Sequence, residues 1–482
     1  MSGNKEVTSL AKNAVFSVIY RLLHILFPLI SYGYVARKLT SDVVGRHAAA
    51  VNNVSYFVIL GSLGIQAYAT REIARRKNDK KERDKLFSEM LIVGCILTAV
   101  AACAFSICMG FIPLFRAERS LYLICAITIV TNMFNVDWYF QGTEDFKFIA
   151  FRSLVVKIVS LIAVFIFIRT PEDIYKYALI GVLTTALYYF LSITHAGKDA
   201  KFSLRGAELK RHLLPLFFLA LCTVSTELYA RMDVTMLDVM KEHSTVASYS
   251  YAQKIVNLIV VTLIAVTAVF LPRLSYYFSN EKEKFNKLTK FGADLMIFIS
   301  IPMCLGLAAI ASPLVSVWLG AGYEDAVPCL IILAFMIPLK CIGDIVCYQV
   351  MMCAGQESFL MIAYMITLLV NVINNLLLIP RYGAFGASAA SLISEIIVFA
   401  IVIIRSKKYQ NYRINLRNLV VTTISSLAMF GAVIGFSFLV DPMWLKLVGG
   451  VILGGSIFAI LNLLLKNDFI TREVLKAYHS MI

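Results

Sequence analysis

The sequence predicts an all-α membrane protein that crosses the bilayer about fourteen times. Of its 482 residues, 59% are hydrophobic and 16% are charged, whereas a soluble domain carries about 25% charged residues. The apolar residues form long runs near the length of roughly 20 residues that a helix needs to span the hydrocarbon core. A soluble fold of this composition would expose extensive apolar surface, so a bilayer is the expected solvent.

Fourteen apolar segments are long enough to cross the membrane. Their expected ranges are 13–35, 43–66, 86–113, 120–140, 148–168, 174–195, 213–238, 246–271, 291–312, 326–347, 358–379, 385–404, 418–440 and 443–465. The first, second and seventh segments are the weakest because each contains charged residues. The connections between segments are short, so no soluble domain is expected.

The basic residues predict the orientation of the chain. If the N-terminus is cytoplasmic, 30 of the 45 lysines and arginines fall in cytoplasmic segments and 8 fall on the other side. Because loops rich in Lys and Arg stay in the cytoplasm, both termini are expected there. The net charge of +15 is then a property of these loops, and nucleic-acid binding is not expected.

An internal repeat divides the chain. The pattern G-x-E-x-F-x-x-I-A occurs at 142–150 and again at 355–363, an offset of 213 positions. Each copy follows the fourth helix of a six-helix set, and six is an even number, so the two sets are parallel repeats. We therefore predict an N-terminal lobe (1–211), a C-terminal lobe (212–411) and a segment with helices 13 and 14 and a cytoplasmic tail (412–482). A substrate cavity is expected between the lobes.

Ionisable residues within the predicted spans mark the candidate site. Each costs at least about 2.5–3.5 kcal/mol on insertion scales, so each needs a partner, a wet cavity or a ligand. The cationic candidates for substrate binding are Arg21, His24, Arg46, Lys157, Arg231 and Lys254. Each of these residues can instead pair with a carboxylate or extend to the membrane surface.

Acidic residues supply candidates for coupling to an ion. Asp233 is a candidate site for Na⁺ or H⁺, and Glu227 is another, although Glu227 and Arg231 have the spacing of an internal helical pair. Lys340 and Asp344 have the same spacing and are expected to pair. Basic residues without a local partner outnumber lone acids, which indicates an anionic substrate such as a phosphate. No metal or cofactor is expected, because none of the ten cysteines forms a C-x-x-C pair.

Several segments of the chain resemble the Wzx-type polysaccharide-unit flippases of the MOP superfamily, which also holds the MATE drug exporters and the lipid II flippase. The sharpest is 137–144, Asp-Trp-Tyr-Phe-Gln-Gly-Thr-Glu, and the others are 63–65, 71–74, 232–237, 249–255 and 271–275. The resemblance implies two six-helix bundles of the MATE type with two extra helices. It also implies that an undecaprenyl-pyrophosphate-linked oligosaccharide moves from the inner to the outer leaflet, with Arg21, Arg46 and Lys254 lining the cavity.

The expected function is therefore transport by alternating access in the bacterial cytoplasmic membrane, driven by the membrane potential or by Na⁺ or H⁺. Expected partners are the lipid-linked oligosaccharide, membrane lipids, and a polymerase or glycosyltransferase of the same pathway. A cation-coupled MATE-type drug exporter is the nearest alternative. A membrane glycosyltransferase or polymerase is less favoured, because the chain lacks a D-x-D, P-loop or HExxH motif. The sequence leaves the sugar unit open, whether O-antigen, capsule or teichoic-type, as well as the coupling ion and the oligomeric state.

Overall fold

The computed structural model describes residues 27–203 and 208–469. Within these ranges the chain forms helices joined by short turns and contains no β-strand, which confirms the all-α prediction. The chain divides into two compact units, Met1–Leu228 (unit 1) and Tyr229–Ile482 (unit 2). The division falls inside one long helix, Lys210–Met240.

Unit 1 is built from helices that begin where side chains cap the backbone. Its helices are α1 (27–38), α2 (Ser41–Ser62), α3 (Ile65–Arg75), α4 (Lys80–Phe111), α5 (Pro113–Ala117), α6 (Arg119–Thr131), α7 (Asp137–Thr143), α8 (Phe146–Phe167), α9 (Ile174–Asp199) and the first part of α10 (Lys210–Met240). The side chains of Thr40, Asp79 and Asp145 accept from backbone amides in the first turns of α2, α4 and α8, which satisfies donors that a helix start leaves free.

Unit 2 continues from the second part of α10. Its helices are α11 (His243–Thr267), α12 (Leu271–Asn280), α13 (Lys282–Ala309), α14 (Ala311–Trp318), α15 (Ala326–Ala334), α16 (Met336–Gly343), α17 (Val350–Cys353), α18 (Glu357–Ser406), α19 (Leu416–Leu439) and α20 (Met443–Leu464). A π turn at Asp344–Gln349 joins α16 to α17. Such turns are rare in proteins, and those that do occur frequently lie at functional sites.

The segment α18 is a helical hairpin and not one straight helix. A straight helix of its 50 residues would be about 75 Å long. Gly383 has non-helical backbone angles (φ 54°, ψ −130°). The side chain of Arg405, near the end of the segment, donates to that of Gln356, just before its start, at 3.0 Å. The chain therefore reverses near Gly383, and each arm has the length of one membrane crossing.

Twelve helical segments of the described chain are long and apolar enough to cross a membrane. One of them, the α18 hairpin, contains both predicted spans 358–379 and 385–404. The first predicted span, 13–35, falls mostly outside the described residues, and only its end lies in α1. The multi-pass architecture is thus confirmed, whereas the exact count of fourteen stays a prediction.

Both copies of the sequence repeat form a turn between two helices. However, the residues that the sequence pattern aligns do not occupy equivalent positions in the two turns. In the first copy the left-handed residue is Glu144 (φ 63°), and in the second it is Gly355 (φ 64°). In each case the next amide donates to the carbonyl five positions earlier. These equivalent positions lie 211 residues apart, two fewer than the offset of the pattern. The sequence pattern therefore locates the two equivalent turns, but it is shifted by two residues from their structural alignment.

The segment 137–144 belongs to the core of unit 1. Trp138, Tyr139 and Phe140 are each 2% exposed and pack in a cluster that includes Ile73. A Cβ at Gly142 would lie 2.6 Å from Ile73 Cγ2 and 2.9 Å from a backbone oxygen of α3. The absence of a side chain at Gly142 therefore lets α7 lie directly against α3.

We expect Gly142→Ala to lower the free energy of unfolding by about 1–3 kcal/mol, the usual cost of forcing an extra methyl group into a packed core. Gly197→Ala on α9 is the matched control, because a Cβ there would meet nothing within 4 Å. Thermal unfolding of the purified protein in detergent measures both effects. An unchanged midpoint for Gly142→Ala would contradict the close approach of α7 and α3.

Candidate ion and substrate sites

A buried carboxylate is the centre of a polar cluster in unit 2. Asp233 on α10 is 3% exposed. Its Oδ2 accepts hydrogen bonds from the hydroxyls of Tyr249 and Ser391, both at 2.5 Å, and its Oδ1 accepts from the amide of Asn375 at 2.7 Å. These three donors are neutral, so they stabilise the carboxylate without balancing its charge.

The α18 hairpin brings side chains from both of its arms to Asp233. The amide of Asn375 also donates to Asn371 Oδ1 at 3.1 Å. Within the described residues, Asn371 Nδ2 and Asn375 Oδ1 are buried and have no hydrogen-bond partner. A cavity of about 90 Å³ lies beside Asp233, Asn371 and Ser391. Carboxylate, amide and hydroxyl oxygens around a small cavity are suitable ligands for a hard cation, and the carboxylate is suitable for a proton.

An ion pair lies close to the Asp233 cluster. Lys340 Nζ is 3.0 Å from the carboxylate of Glu395 on the second arm of α18. Asp344 instead accepts from the hydroxyl of Thr267 at 2.8 Å and the amide of Gln349 at 2.7 Å. The expected Lys340–Asp344 pair is therefore wrong, because α18 packs against α16 and places Glu395 beside the lysine.

A second and larger cavity of unit 2 lies beside this ion pair. Its volume is about 270 Å³, and its lining includes Lys340, Asp344, Tyr348, Tyr364 and Glu395. Lys340 and Asn257 line both this cavity and the one at Asp233. The two cavities are therefore neighbours within unit 2.

Lys157 lies halfway along α8 and faces a cavity of unit 1. Within the described residues, its ammonium group is buried and has no hydrogen-bond partner. The cavity has a volume of about 220 Å³, and its lining includes His47, Ser160 and Tyr177. The rings of His47 and Tyr177 pack with their centroids 4.5 Å apart. This environment leaves the charge of Lys157 available to an anion.

Arg46 has a carboxylate partner. Its guanidinium lies 2.6 Å from Glu118 Oε1 and donates to Oε2 at 2.7 Å, and both side chains are about one quarter exposed. This ion pair corresponds to the alternative given above for Arg46, pairing with a carboxylate in place of binding an anion. Its neighbour His47 and the more distant Lys157 share a cavity, whereas the guanidinium of Arg46 is engaged with Glu118.

The remaining predicted residues are distributed along the chain. Glu227 and Arg231 are half-buried on α10. Lys254 is half-buried on α11, with its Nζ 5.1 Å from the ring centroid of Tyr251. Arg21 and His24 lie outside the described residues, so their roles stay predictions from sequence.

A buried ion pair in unit 1 is not among the candidate residues predicted from the sequence. Arg152 is 1% exposed and lies 2.9 Å from Asp137 Oδ1. It also donates to the hydroxyls of Tyr188 and Ser192, and Tyr188 donates to Asp137 Oδ2 at 2.7 Å. Tyr188 and Ser192 are four residues apart on α9, so the i,i+4 spacing of two polar residues was the available signal.

A second buried carboxylate, Glu89, binds the connection between α9 and α10. It accepts from Arg211 at 2.7 Å, from the backbone amide of Glu208 at 2.8 Å, and contacts His212 Nε2 at 2.9 Å. Lys85 donates to the carboxylate of Glu208 at 2.8 Å, and this bond lowers the pKa of Glu208 below its ordinary value. The cluster joins this connection to the start of α4.

The helices and buried polar clusters define a multi-pass membrane protein. Residues 10–278, more than half of the chain, match the model of one family, described as polysaccharide biosynthesis protein. The chain belongs to this polysaccharide biosynthesis protein family. A relative in Escherichia coli (strain K12), the "Putative O-antigen transporter", is 23% identical over 355 residues, which cover 72% of this chain and 85% of the relative.

Solved structures of transporters have the same fold. The lipid II flippase MurJ, in an inward closed conformation, matches 95% of this chain and 99% of its own with a TM-score of 0.76 and 17% identity. An inward-facing multidrug resistance MATE family transporter of the MOP superfamily matches 82% of this chain and 97% of its own, with a TM-score of 0.63 and 14% identity. The predicted MATE-like fold class is confirmed.

Proposed function

We propose that this protein is a flippase that moves an undecaprenyl-pyrophosphate-linked oligosaccharide from the inner to the outer leaflet by alternating access. The family, the similarity to an O-antigen transporter and the fold shared with a lipid II flippase support a lipid-linked glycan as substrate. The observation that carries the proposal is Lys157, a buried ammonium group beside a cavity. Phosphate oxygens are suitable partners for such a group.

A diphosphate ligand would also account for a lysine in a span whose ammonium group has no hydrogen-bond partner among the described residues. Placing Lys in a transmembrane helix costs about 2.5–3.5 kcal/mol on insertion scales. A bound phosphate returns a charge-assisted hydrogen bond, which contributes about 1.5–3 kcal/mol. The site is thus unfavourable when empty and favourable when loaded, which suits a carrier. Arg21, His24, Arg231 and Lys254 remain further candidates for the same headgroup.

Replacing Lys157 by alanine is expected to slow transfer of the lipid-linked oligosaccharide by about tenfold or more, because a charge-assisted bond is lost. Lys157→Arg keeps the charge and should retain most of the activity. Lys147→Ala is the control, since Lys147 is an exposed cation on the same helix. Transfer across proteoliposome membranes is the measurement. Full activity of Lys157→Ala would overturn the assignment of this lysine.

The Asp233 cluster supports coupling of transport to Na⁺ or H⁺. Its carboxylate accepts hydrogen bonds from neutral amide and hydroxyl groups of the described chain and is chemically suited to a small cation. The membrane potential adds a second driving force. With a negative interior, outward movement of one negative charge releases about 2.3 kcal/mol per 100 mV. Glu227 remains a second candidate for coupling.

The proposed location is the bacterial cytoplasmic membrane, with both termini in the cytoplasm. The excess of Lys and Arg in the segments assigned to the cytoplasm supports this orientation. A polymerase or glycosyltransferase of the same pathway is the proposed protein partner, because it would consume or supply the lipid-linked unit.

A cation-coupled drug exporter is the second candidate function. The cavity of about 270 Å³ beside the Lys340–Glu395 pair supports it, since Asp344 and Glu395 lie there among the aromatic residues Tyr348 and Tyr364, a lining that suits an organic cation. Lys340 already neutralises Glu395 at 3.0 Å, which weakens this alternative. Efflux of an organic cation such as ethidium by proteoliposomes, without transfer of lipid-linked glycan, would favour it.

A further inference from the structure

A cavity in unit 1 is lined by side-chain amides. Its volume is about 260 Å³, and it lies between the end of α2, the start of α3, the middle of α4 and the turn before α7. Gly94 lies on its wall, and a Cβ there would lie 3.8 Å from Cδ1 of Ile65, which also lines the cavity, so a larger side chain at Gly94 would fill part of this space. Its polar lining consists of Ser62, Gln66, Asn132, Asn135 and Asp137, and its apolar lining includes Ile65, Met90, Leu91, Met133 and Trp138.

The side-chain amides of this cavity have unused hydrogen-bonding capacity. Among the described residues, the side chain of Gln66 has no hydrogen-bond partner, and Asn135 uses only its oxygen, which accepts from the backbone amide of Asp137 at 3.3 Å. Asn132 makes two long bonds, to Val58 O at 3.4 Å and from Tyr189 at 3.5 Å. Each side-chain amide offers two donors and an acceptor.

The charge of the lining argues against an ionic ligand. Among the described residues, Asp137 is the one charged residue of the lining, and Arg152 lies 2.9 Å from its carboxylate. The part of the wall that the structure describes offers an anion no available cation, and a cation would compete with Arg152. A wholly apolar ligand would cover the part-exposed amides of Gln66 and Asn135 without pairing them, at about 1–3 kcal/mol for each group. A ligand that is uncharged and can also pair with the amides is therefore required. A neutral molecule with several hydroxyl groups meets both requirements, because hydroxyls donate and accept hydrogen bonds.

We propose that this cavity holds a neutral sugar ring of the transported glycan, with Gln66 and Asn135 as its principal hydrogen-bonding residues. The inference rests on the proposed flippase function and adds to it a recognition site for sugar, separate from the phosphate-binding lysine. Apolar walls with a few convergent polar groups are the usual construction of a small-molecule site. The C–H faces of a sugar ring would lie against Met90 and Ile65.

The test compares two lipids that differ in the glycan. One probe is the pool of lipid-linked oligosaccharides extracted from the membranes of the cells that make the polysaccharide, and the other is undecaprenyl pyrophosphate without sugar. Binding to the full chain is measured in detergent by native mass spectrometry. The wild type should prefer the glycan-bearing probe by about tenfold or more, the effect of two or more hydrogen bonds.

The double variant Gln66→Leu, Asn135→Leu should bind the two probes equally, at the wild-type affinity for the bare lipid. Gly94→Val provides an independent variant that fills the cavity and keeps the amides, and it should also lose the preference. Gln141→Leu is the control, because Gln141 is an exposed amide side chain on α7. Unchanged affinity for the bare lipid shows that each variant is folded.

The possible outcomes separate this inference from the proposed function. If the double variant keeps the wild-type preference, the cavity is not the sugar site, and the flippase function is unaffected. If the wild type binds both probes equally, sugar recognition is absent and the inference fails alone. If the wild type binds neither probe, the proposed function fails and the inference fails with it.

Discussion

Asp233→Asn is expected to reduce ion-coupled transport by about 100-fold or more. The substitution keeps the size of the side chain but removes the negative charge that a bound Na⁺ would neutralise. Loss of one partner from a buried charge interaction costs 2–5 kcal/mol or more. The measurement is the rate of glycan-lipid transfer in proteoliposomes with an imposed Na⁺ or H⁺ gradient. A second readout is thermal unfolding, since Na⁺ that binds only the folded protein raises the midpoint.

The control for Asp233→Asn is Asp238→Asn on the same helix. Asp238 is also buried, but its carboxylate lies 3.3 Å from His243, so its loss should not abolish a response to Na⁺ or H⁺. If Asp233→Asn transports at the wild-type rate under every gradient, Asp233 is not a coupling residue. Transport that then follows only the imposed potential would assign the driving force to the charge of the substrate.

The fold was predictable because a bilayer demands long apolar helices. The hairpin of α18 shows the strength of this signal: a proline, an arginine and Gly383 interrupt an apolar run, and the two predicted spans coincide with its two arms. The position of the repeat was also visible, but its register was not. A left-handed residue defines each turn, and this role is filled by Glu144 in one copy and by Gly355 in the other.

The candidate sites were predictable only in part. Asp233 stood out because a carboxylate in an apolar run is rare. Its partners Asn375 and Ser391 did not, because they lie more than 130 positions away and polar uncharged residues in a span carry little signal. Local spacing misassigned Lys340, whose partner Glu395 comes from another helix. Long-range contacts that form on packing cannot be deduced from spacing along one helix.

Replacing Arg152 by leucine is expected to lower the free energy of unfolding by about 3–5 kcal/mol, the cost of leaving one member of a buried ion pair without its partner. Asp137 would lose its cation, and the hydroxyls of Tyr188 and Ser192 would lose a donor. Asp137→Leu should have a comparable effect for the opposite reason, since it leaves a buried guanidinium uncompensated. The midpoint of thermal unfolding and the yield of folded protein in detergent measure both.

The double variant Arg152→Leu, Asp137→Leu tests whether the two residues stabilise the fold through their ion pair or only through the packing of their side chains. Because neither charge then remains, it should be more stable than either single variant, and the difference from additivity measures the coupling of the pair. Lys77→Ala serves as the surface control: Lys77 lies 2.6 Å from Glu144, but both side chains are exposed, and such pairs contribute about 0–1 kcal/mol. If both single variants unfold at the wild-type temperature, Arg152 and Asp137 do not stabilise each other, and α8 must be held against α9 by apolar packing alone.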